Sequence, residues 1–143
     1  MLKRNNNKKK MKENWLFPCN PKYFDIAKHF ESNDVVCFKR KGIVKVGDVA
    51  YIYIAGTLKQ LKYKCIIVDE NVKEPLLSEH SYVVKKEAYS ATTPHYTATR
   101  LVEVIEDGKF TLEWLRQHGT NQFILPMRLS RQTAVAIEKE NSK

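Results

Sequence analysis

The sequence predicts an α+β domain in which a mostly antiparallel sheet, flanked by about three helices, curls into a small barrel. Short apolar segments recur along the chain, several with the alternation typical of strands, and turn residues separate them. Helical spacing is confined to a few segments, and no internal repeat is present. With 143 residues, of which 43% are hydrophobic, the chain can bury one core without disulfides.

In the first half of the chain, a strand over Trp15–Phe17 is predicted to end at Pro18, because proline lacks a ladder N–H. A helix is then predicted to begin at Asn20, whose side chain suits an N-cap, with Pro21 in the first helical position. The later apolar segments of this half are predicted to be strands over Val35–Lys39, Val49–Ala55 and Leu61–Asp69.

In the second half, the segment Glu70–Pro94 is irregular, and is predicted to be a long excursion or to contain a strand near Tyr82–Lys86. The elements predicted after it are a strand over Thr97–Ile105, a helix over Thr111–His118 ended by Gly119, a strand over Phe123–Leu125, and a final helix capped by Ser130.

Positive charge is concentrated at the N-terminus. The first twelve residues carry six cations and no acid, so that subtracting six from the net charge of +9 leaves +3 for residues 13–143. Residues 1–12 are therefore predicted to be a disordered basic arm, and residues 13–143 a single domain. Such an arm adds affinity for nucleic acid without sequence preference. The alternative is an arm that only increases solubility.

The sequence lacks the motifs of several enzyme classes. HExxH, GxSxG and a phosphate-binding loop are missing, and the four histidines are scattered without metal-ligand spacing. We therefore expect no enzyme activity, no catalytic residue, no metal and no cofactor. Cys19, next to a predicted helix start, is the one thiol whose pKa that position would lower.

The same composition favours a cytoplasmic protein. Three widely spaced cysteines without a CxxC pair fit a reducing compartment. No apolar run approaches the length of a membrane span, and the basic N-terminus lacks the apolar stretch of a secretory signal.

Aromatic residues beside cations give the strongest functional signal. Phe38 is followed by Lys39 and Arg40 where a predicted strand ends, and Tyr51 and Tyr53 share one face of the next strand. A ring can stack on a nucleobase while neighbouring cations hold phosphate. This pattern predicts nucleotide binding. The alternatives are a solvated loop at Lys39 and Arg40 and a packed core at the tyrosines.

Much of the chain after the arm resembles the EVE domain, a member of the PUA-like superfamily that also includes YTH and ASCH domains. The segments that carry the resemblance are Asn14–Asp25, Phe38–Arg40, Val46–Tyr53, Leu61–Cys65, His118–Gly119 and Pro126–Leu129. The resemblance implies a curved PUA-like β-barrel flanked by helices.

The resemblance also implies a binding domain rather than a catalyst, one that takes a flipped, modified base, such as a methylated base, into an aromatic pocket. DNA is favoured over RNA, and many bacterial relatives belong to modification-dependent restriction systems, so a nuclease or helicase is an expected partner. The implied base-binding residues are Trp15, Asn20, Phe38, Lys39, Arg40 and Tyr53. Relatives often carry Trp where this chain has Phe38. The alternative function is a regulatory module that binds a small molecule or a protein.

Overall fold

A computed structural model describes residues 12–39, 43–72 and 96–143, with Lys39 described by its backbone only. The strands are β1 (Asn14–Cys19), β2 (Val35–Lys39), β3 (Val49–Ile54), β4 (Gln60–Val72), β5 (Tyr96–Val104) and β6 (Met127–Arg128). The helices are α1 (Ile26–Phe30), α2 (Leu112–Gln117) and α3 (Arg131–Asn141). The strand predicted near Tyr82–Lys86 and nearly all of the basic arm lie outside the described residues. Within the described ranges, no helix is long and apolar enough to cross a membrane.

The strands form one six-stranded sheet in the order β2-β5-β4-β3-β1-β6. Every neighbouring pair is antiparallel except β1 and β3, which run parallel. This confirms the predicted α+β class and the mostly antiparallel sheet. Closure into a complete barrel is not observed, because no backbone ladder joins β2 to β1 within the described residues.

The sheet is nevertheless curved. The β4–β5 ladder shifts register at three points, between Lys64 and Cys65 and twice between Ile67 and Val72. Such bulges bend a strand and increase its twist. As a result, β2 folds back towards β1, and the rings of Phe17 and Phe38 meet edge to face with their centroids 5.2 Å apart.

Both faces of the sheet are covered at β3, because all six residues of this strand are buried. Ile52 and Ile54 point into the concave face, where α1 packs. Tyr51 and Tyr53 point to the convex face, which α2 and α3 cover. The predicted alternation of β3 is confirmed, and its tyrosine face belongs to the core.

The first helix begins later than predicted. Asn20 does not cap it, because its Oδ1 accepts the N–H of Lys22 (3.0 Å) and forms a local turn. The N-cap is Asp25, whose carboxylate accepts the N–H of Lys28 at 3.1 Å. The two later caps are confirmed: Ser130 accepts the N–H of Thr133 at 3.1 Å, and Gly119 follows α2 with a φ of +99°.

Two strand predictions are wrong. β1 continues through Pro18 to Cys19. Proline is tolerated there because β6 pairs with β1 only at Trp15 and Leu16, and no described strand requires an N–H from Pro18 on that edge. No strand forms at Phe123–Leu125, because the side chain of Gln122 binds the backbone of the following residues. The pairing with β1 falls instead on Met127 and Arg128.

Candidate functional site

The curved sheet leaves a seam where β1 and β2 face each other, and we use "seam" for the contact of Phe17 with Phe38. Phe17 is 2% exposed and belongs to the concave core. Phe38 is half-buried and packs against that core from β2. An edge-to-face contact uses the rim of one ring and leaves other ring surface available. Phe38 is thus a half-buried aromatic side chain at the point where β2 meets β1.

A buried carboxylate organises the end of the sheet where β1 begins. Asp48 is 3% exposed and accepts three hydrogen bonds. Its Oδ1 accepts the N–H of Glu13 (3.1 Å), and its Oδ2 accepts the N–H of Lys45 and Nε1–H of Trp15, both at 3.0 Å. Three donors compensate for removing the carboxylate from water. Asp48 thereby ties β1 to the turn that precedes β3.

Trp15 lies at this end, but in the interior. It is 5% exposed and its indole N–H is bonded to Asp48. The guanidinium of Arg128 lies 5.7 Å from the centre of the indole ring. The structure thus uses Trp15 to pack the concave core and to position Arg128, and little of its ring is left exposed for the base contact that the resemblance implies.

Three exposed cations surround Asp48, and we call them the basic rim: Lys12, Lys45 and Arg128. Lys45 belongs to the turn held by Asp48. Lys12 lies against Gly47, with its Cε 3.7 Å from the position that a Cβ there would occupy. Arg128 pairs in register with Trp15 on the adjacent strand and is 4.0 Å from Glu13. Cations in this arrangement can hold phosphates.

The six residues predicted for base binding do not all meet at the seam. Phe38 lies there, Lys39 is described only by its backbone at the end of β2, and Arg40 lies outside the described residues. Asn20 lies at the opposite end of β1, where its Nδ2 has no hydrogen-bond partner among the described residues.

Tyr53 is separated from Phe38 by the sheet itself. It is 2% exposed on the convex face, and its ring centroid is 4.7 Å from that of Phe123. Its burial raises the pKa of the phenol above the ordinary value. The expectation that Phe38 and the Tyr51/Tyr53 face lie side by side is wrong, because β5 and β4 come between β2 and β3.

A helix start beside Cys19 would lower the pKa of its thiol, but the structure gives the opposite shift. Cys19 lies in the concave core with Ile26, the first residue of α1, and burial raises the pKa of its thiol to about 12. Burial raises the pKa of Cys65 to about 12 as well. Among residues 12–39, 43–72 and 96–143, no group of three His, Cys, Asp or Glu side chains could hold a metal ion.

A groove of about 670 Å³ lies between the start of β1 and α3. Its charged lining residues are Lys12, Glu13, Arg131, Glu138 and Lys139. Lys12 belongs both to this groove and to the basic rim. The groove is therefore a mixed-charge surface next to the rim.

Sequence reasoning did not assign Asp48, Lys45 or Arg128 to the site. The burial of Asp48 depends on contacts with residues 33 to 35 positions away along the chain. The available signal was the Lys45-Val46-Gly47-Asp48 turn following a basic loop. Arg128 is brought to Trp15 only by the pairing of β6 with β1.

No protein-family model matches the chain, and no curated protein matches it. Solved structures do. The ASCH protein of Zymomonas mobilis shares 17% identity at a TM-score of 0.64, covering 89% of this chain and 94% of its own. Human THYN1, solved in complex with DNA containing 5-methylcytosine, shares 13% identity at a TM-score of 0.61. The match covers 92% of this chain and 98% of the THYN1 chain. Protein PSPTO5229 of Pseudomonas syringae shares 14% identity at a TM-score of 0.60, and the match covers 88% of this chain and 97% of that protein. These matches confirm the EVE/ASCH, PUA-like fold.

Proposed function

We propose that this chain, which has the PUA-like fold of ASCH domains and of THYN1, is a non-catalytic domain that binds nucleic acid and recognises a modified base. The observation that carries the proposal is the match to human THYN1, which was solved with DNA containing 5-methylcytosine and shares the fold over 92% of this chain. We favour DNA over RNA for the same reason, and we take 5-methylcytosine as the first base to test.

The seam supplies the aromatic side chain that such recognition needs. A base flipped out of the duplex loses a few kcal/mol of stacking and pairing. Stacking on an aromatic side chain restores about 1–3 kcal/mol. We assign this stacking to Phe38, which is half-buried where β2 meets β1.

The basic rim supplies contacts to the flanking phosphates. Lys12, Lys45 and Arg128 are exposed around one buried carboxylate, and the carboxylate fixes the turn that carries Lys45. Lys39 and Arg40 follow Phe38 directly in the sequence and are proposed to extend the rim. We keep Asn20 as a donor to a base edge, because its amide nitrogen has no partner within the described part of the chain.

Binding to matched duplexes tests the proposal. Fluorescence anisotropy is measured with one duplex sequence carrying 5-methylcytosine, 5-hydroxymethylcytosine, N6-methyladenine or no modification. We expect the wild-type protein to prefer one modified duplex. Phe38→Leu keeps apolar volume at the seam but removes the ring, so it should weaken binding of that duplex about tenfold. Phe38→Trp should preserve or strengthen binding.

Phe30→Leu is the matched control, because Phe30 is a half-buried phenylalanine on α1, outside the seam and the basic rim. It should leave the preference for the modified duplex within about twofold, and thermal unfolding checks that every variant is folded. Equal and weak binding of all four duplexes, unchanged by Phe38→Leu, contradicts the proposal.

The absence of catalysis is part of the proposal and has its own test. Incubation of the preferred duplex with the protein and Mg²⁺ or Mn²⁺ should give no cleavage. Cutting would then require a separate nuclease, which a helicase partner could accompany, as in a modification-dependent restriction system within the cytoplasm. Cleavage of the duplex by the purified protein alone would overturn the proposed absence of catalysis.

A second candidate function is a regulatory module that binds a small molecule. The mixed-charge groove between β1 and α3 favours it, because Arg131 and Lys139 lie there with Glu138. Such a lining suits a ligand that carries both signs of charge. Mass spectrometry of the purified protein would support this candidate by detecting a bound metabolite, and release of that metabolite by Glu138→Gln would place it in the groove.

A further inference from the structure

The mixed-charge groove between the start of β1 and α3 is continuous with the basic rim. Lys12 belongs to both surfaces. Glu13 lines the groove, and its backbone N–H bonds the carboxylate of Asp48 at the centre of the rim (3.1 Å). The carboxylate of Glu13 in turn lies 4.0 Å from Nε of Arg128, another rim residue. These contacts place the groove directly beside the proposed phosphate contacts of the rim.

Backbone hydrogen bonds fix the wall of the groove that β1 provides. The N–H of Val49 donates to the carbonyl of Glu13 (3.0 Å), and the N–H of Leu129 donates to the carbonyl of Asn14 (2.7 Å). All four of these residues line the groove. A wall that is already ordered loses little conformational entropy when a ligand binds.

Both acids that line the groove have cationic partners outside it. Glu13 faces Arg128, and Oε2 of Glu138 lies 3.6 Å from Nζ of Lys64 on β4. Neither of these two cations is among the described residues that line the groove. The negative charge of the lining is therefore compensated by residues other than the groove's own cations.

The lysines that line the groove have no such compensation. In the part of the chain that the structure describes, no carboxylate forms an ion pair with Lys12 or Lys139. Arg131, the first residue of α3, adds a third exposed cation. Counted together with the two partners of its acids, the groove has five cations and two acids, so its field attracts anions.

The shape and lining of the groove favour a polymer of phosphates over a small anion. Its cations continue through Lys12 into the rim, and the segment of residues 1–11 that precedes Lys12 carries five more. Apolar side chains of Val49, Leu129 and Ala134 lie between the charged ones in the lining. A nucleic-acid strand, in which charged phosphates alternate with less polar sugars, matches both properties.

Resting on the nucleic-acid binding of the proposed function, we infer that the groove is a further phosphate-binding surface, along which the backbone of the bound DNA continues from the basic rim. Lys12, Arg131 and Lys139 hold its phosphates. Because every DNA sequence has the same phosphates, the groove adds affinity without preference for the modified base. The bound DNA thus contacts the protein over a longer stretch than the seam and the rim provide.

Anisotropy over a range of salt concentrations, with the 5-methylcytosine duplex and its unmodified counterpart, tests the inference. Lys139→Gln should weaken binding of both duplexes by the same factor, about threefold to fivefold, and make the slope of log affinity against log salt shallower by about 1. Glu138→Gln should strengthen binding of both duplexes about twofold, because it removes an acid from the groove and releases Lys64.

Lys143→Gln is the matched control. Lys143 is an exposed lysine that follows α3, lies 3.4 Å from Glu140, and is not among the described residues of the groove lining. Its substitution lowers the net charge by the same one unit as Lys139→Gln, and should change neither the affinities nor the salt slope. Thermal unfolding checks that all three variants are folded.

Equal losses of affinity for Lys139→Gln and Lys143→Gln would reduce the effect to net charge and overturn the inference. Duplex binding that neither Lys139→Gln nor Glu138→Gln changes also overturns it, and leaves the groove to the small-molecule candidate. A wild type that binds both duplexes equally, with the loss at Lys139 retained, refutes recognition of the modified base and supports the groove. A wild type that binds neither duplex refutes both.

Discussion

Asp48 shows how one buried side chain determines the positions of several residues at the site. Its two oxygens accept the indole N–H of Trp15 and the backbone N–H groups of Glu13 and Lys45. Arg128 is linked to the same centre through the ring of Trp15. The orientation of the basic rim therefore depends on a residue that is itself only 3% exposed.

We predict that Asp48→Ala destabilises the protein by about 3 kcal/mol, because it leaves buried donors without acceptors. Urea denaturation followed by circular dichroism measures the change. Asp107→Ala is the control, since Asp107 is mostly exposed and pairs with Lys62 at the surface (2.6 Å). That variant should lower the free energy of unfolding by less than about 1 kcal/mol. Similar losses for the two variants would show that the Asp48 network is not a principal source of stability.

Trp15 and Tyr53 show the limit of functional inference from residue type. Both are aromatic residues on strands, and the resemblance implies that both bind the base. Trp15 is 5% exposed and Tyr53 is 2% exposed, on opposite faces of the sheet. An aromatic side chain in a strand buries a large apolar area, and only the surrounding strands decide whether a ligand can reach it.

At the scale of elements, the turn Lys45–Asp48 connects stability with the proposed interface. Its geometry is set by the Asp48 carboxylate and by Gly47, which has a φ of +96° and donates its N–H to the Ile67 carbonyl. The side chain of Lys45 remains exposed at the rim. The turn therefore presents a cation to solvent from a rigid backbone.

We predict that Lys45→Gln weakens binding of modified and unmodified duplexes by the same factor, because a phosphate contact carries no information about the base. The slope of log affinity against log salt should become shallower by about 1. Anisotropy titrations over a range of salt concentrations measure both effects. Lys28 is an exposed lysine on α1, and Lys28→Gln should change neither the affinity for the duplexes nor the salt slope. A loss confined to the modified duplex would instead place Lys45 at the base.

At the scale of the whole molecule, bulges in the long β4–β5 ladder bend the sheet until its first strand in spatial order meets its fifth. The seam then lies towards the edge of β1 that faces away from β3, where β6 carries Arg128 of the basic rim. The basic arm leads into Lys12, which is part of the rim. The proposed interface thus combines a rigid edge with a charged N-terminal segment.

We predict that removing residues 1–11 weakens binding of every duplex and flattens its salt dependence. The segment carries five cations, and phosphate neutralisation by all five would contribute about 4 to 5 units to the slope. The preference for a modified base should persist, because Phe38 and the rim remain. An unchanged salt slope in the shortened protein would mean that the arm does not contact phosphate.

Local signals predicted most elements correctly. The strands Val35–Lys39 and Val49–Ile54, the cap at Ser130 and the stop at Gly119 follow from alternation, side-chain capping and positive φ, all of which act over a few residues. The errors at Asn20 and at Phe123–Leu125 arose where a polar side chain bonded its own backbone segment. Such bonds compete with the backbone hydrogen bonds of helices and strands, and composition alone does not reveal which of the two forms.

The sequence by itself determined the α+β class, the alternation of β3 side chains between two faces, the basic arm and the position of Phe38 beside two cations. These properties depend on residue type and local spacing. The tertiary structure alone decided that Phe38 meets Phe17, that Trp15 and Tyr53 are buried on opposite faces, and that Asp48 collects three donors. Strand order and bulges bring together residues far apart in the chain, and no local pattern encodes those long-range pairings.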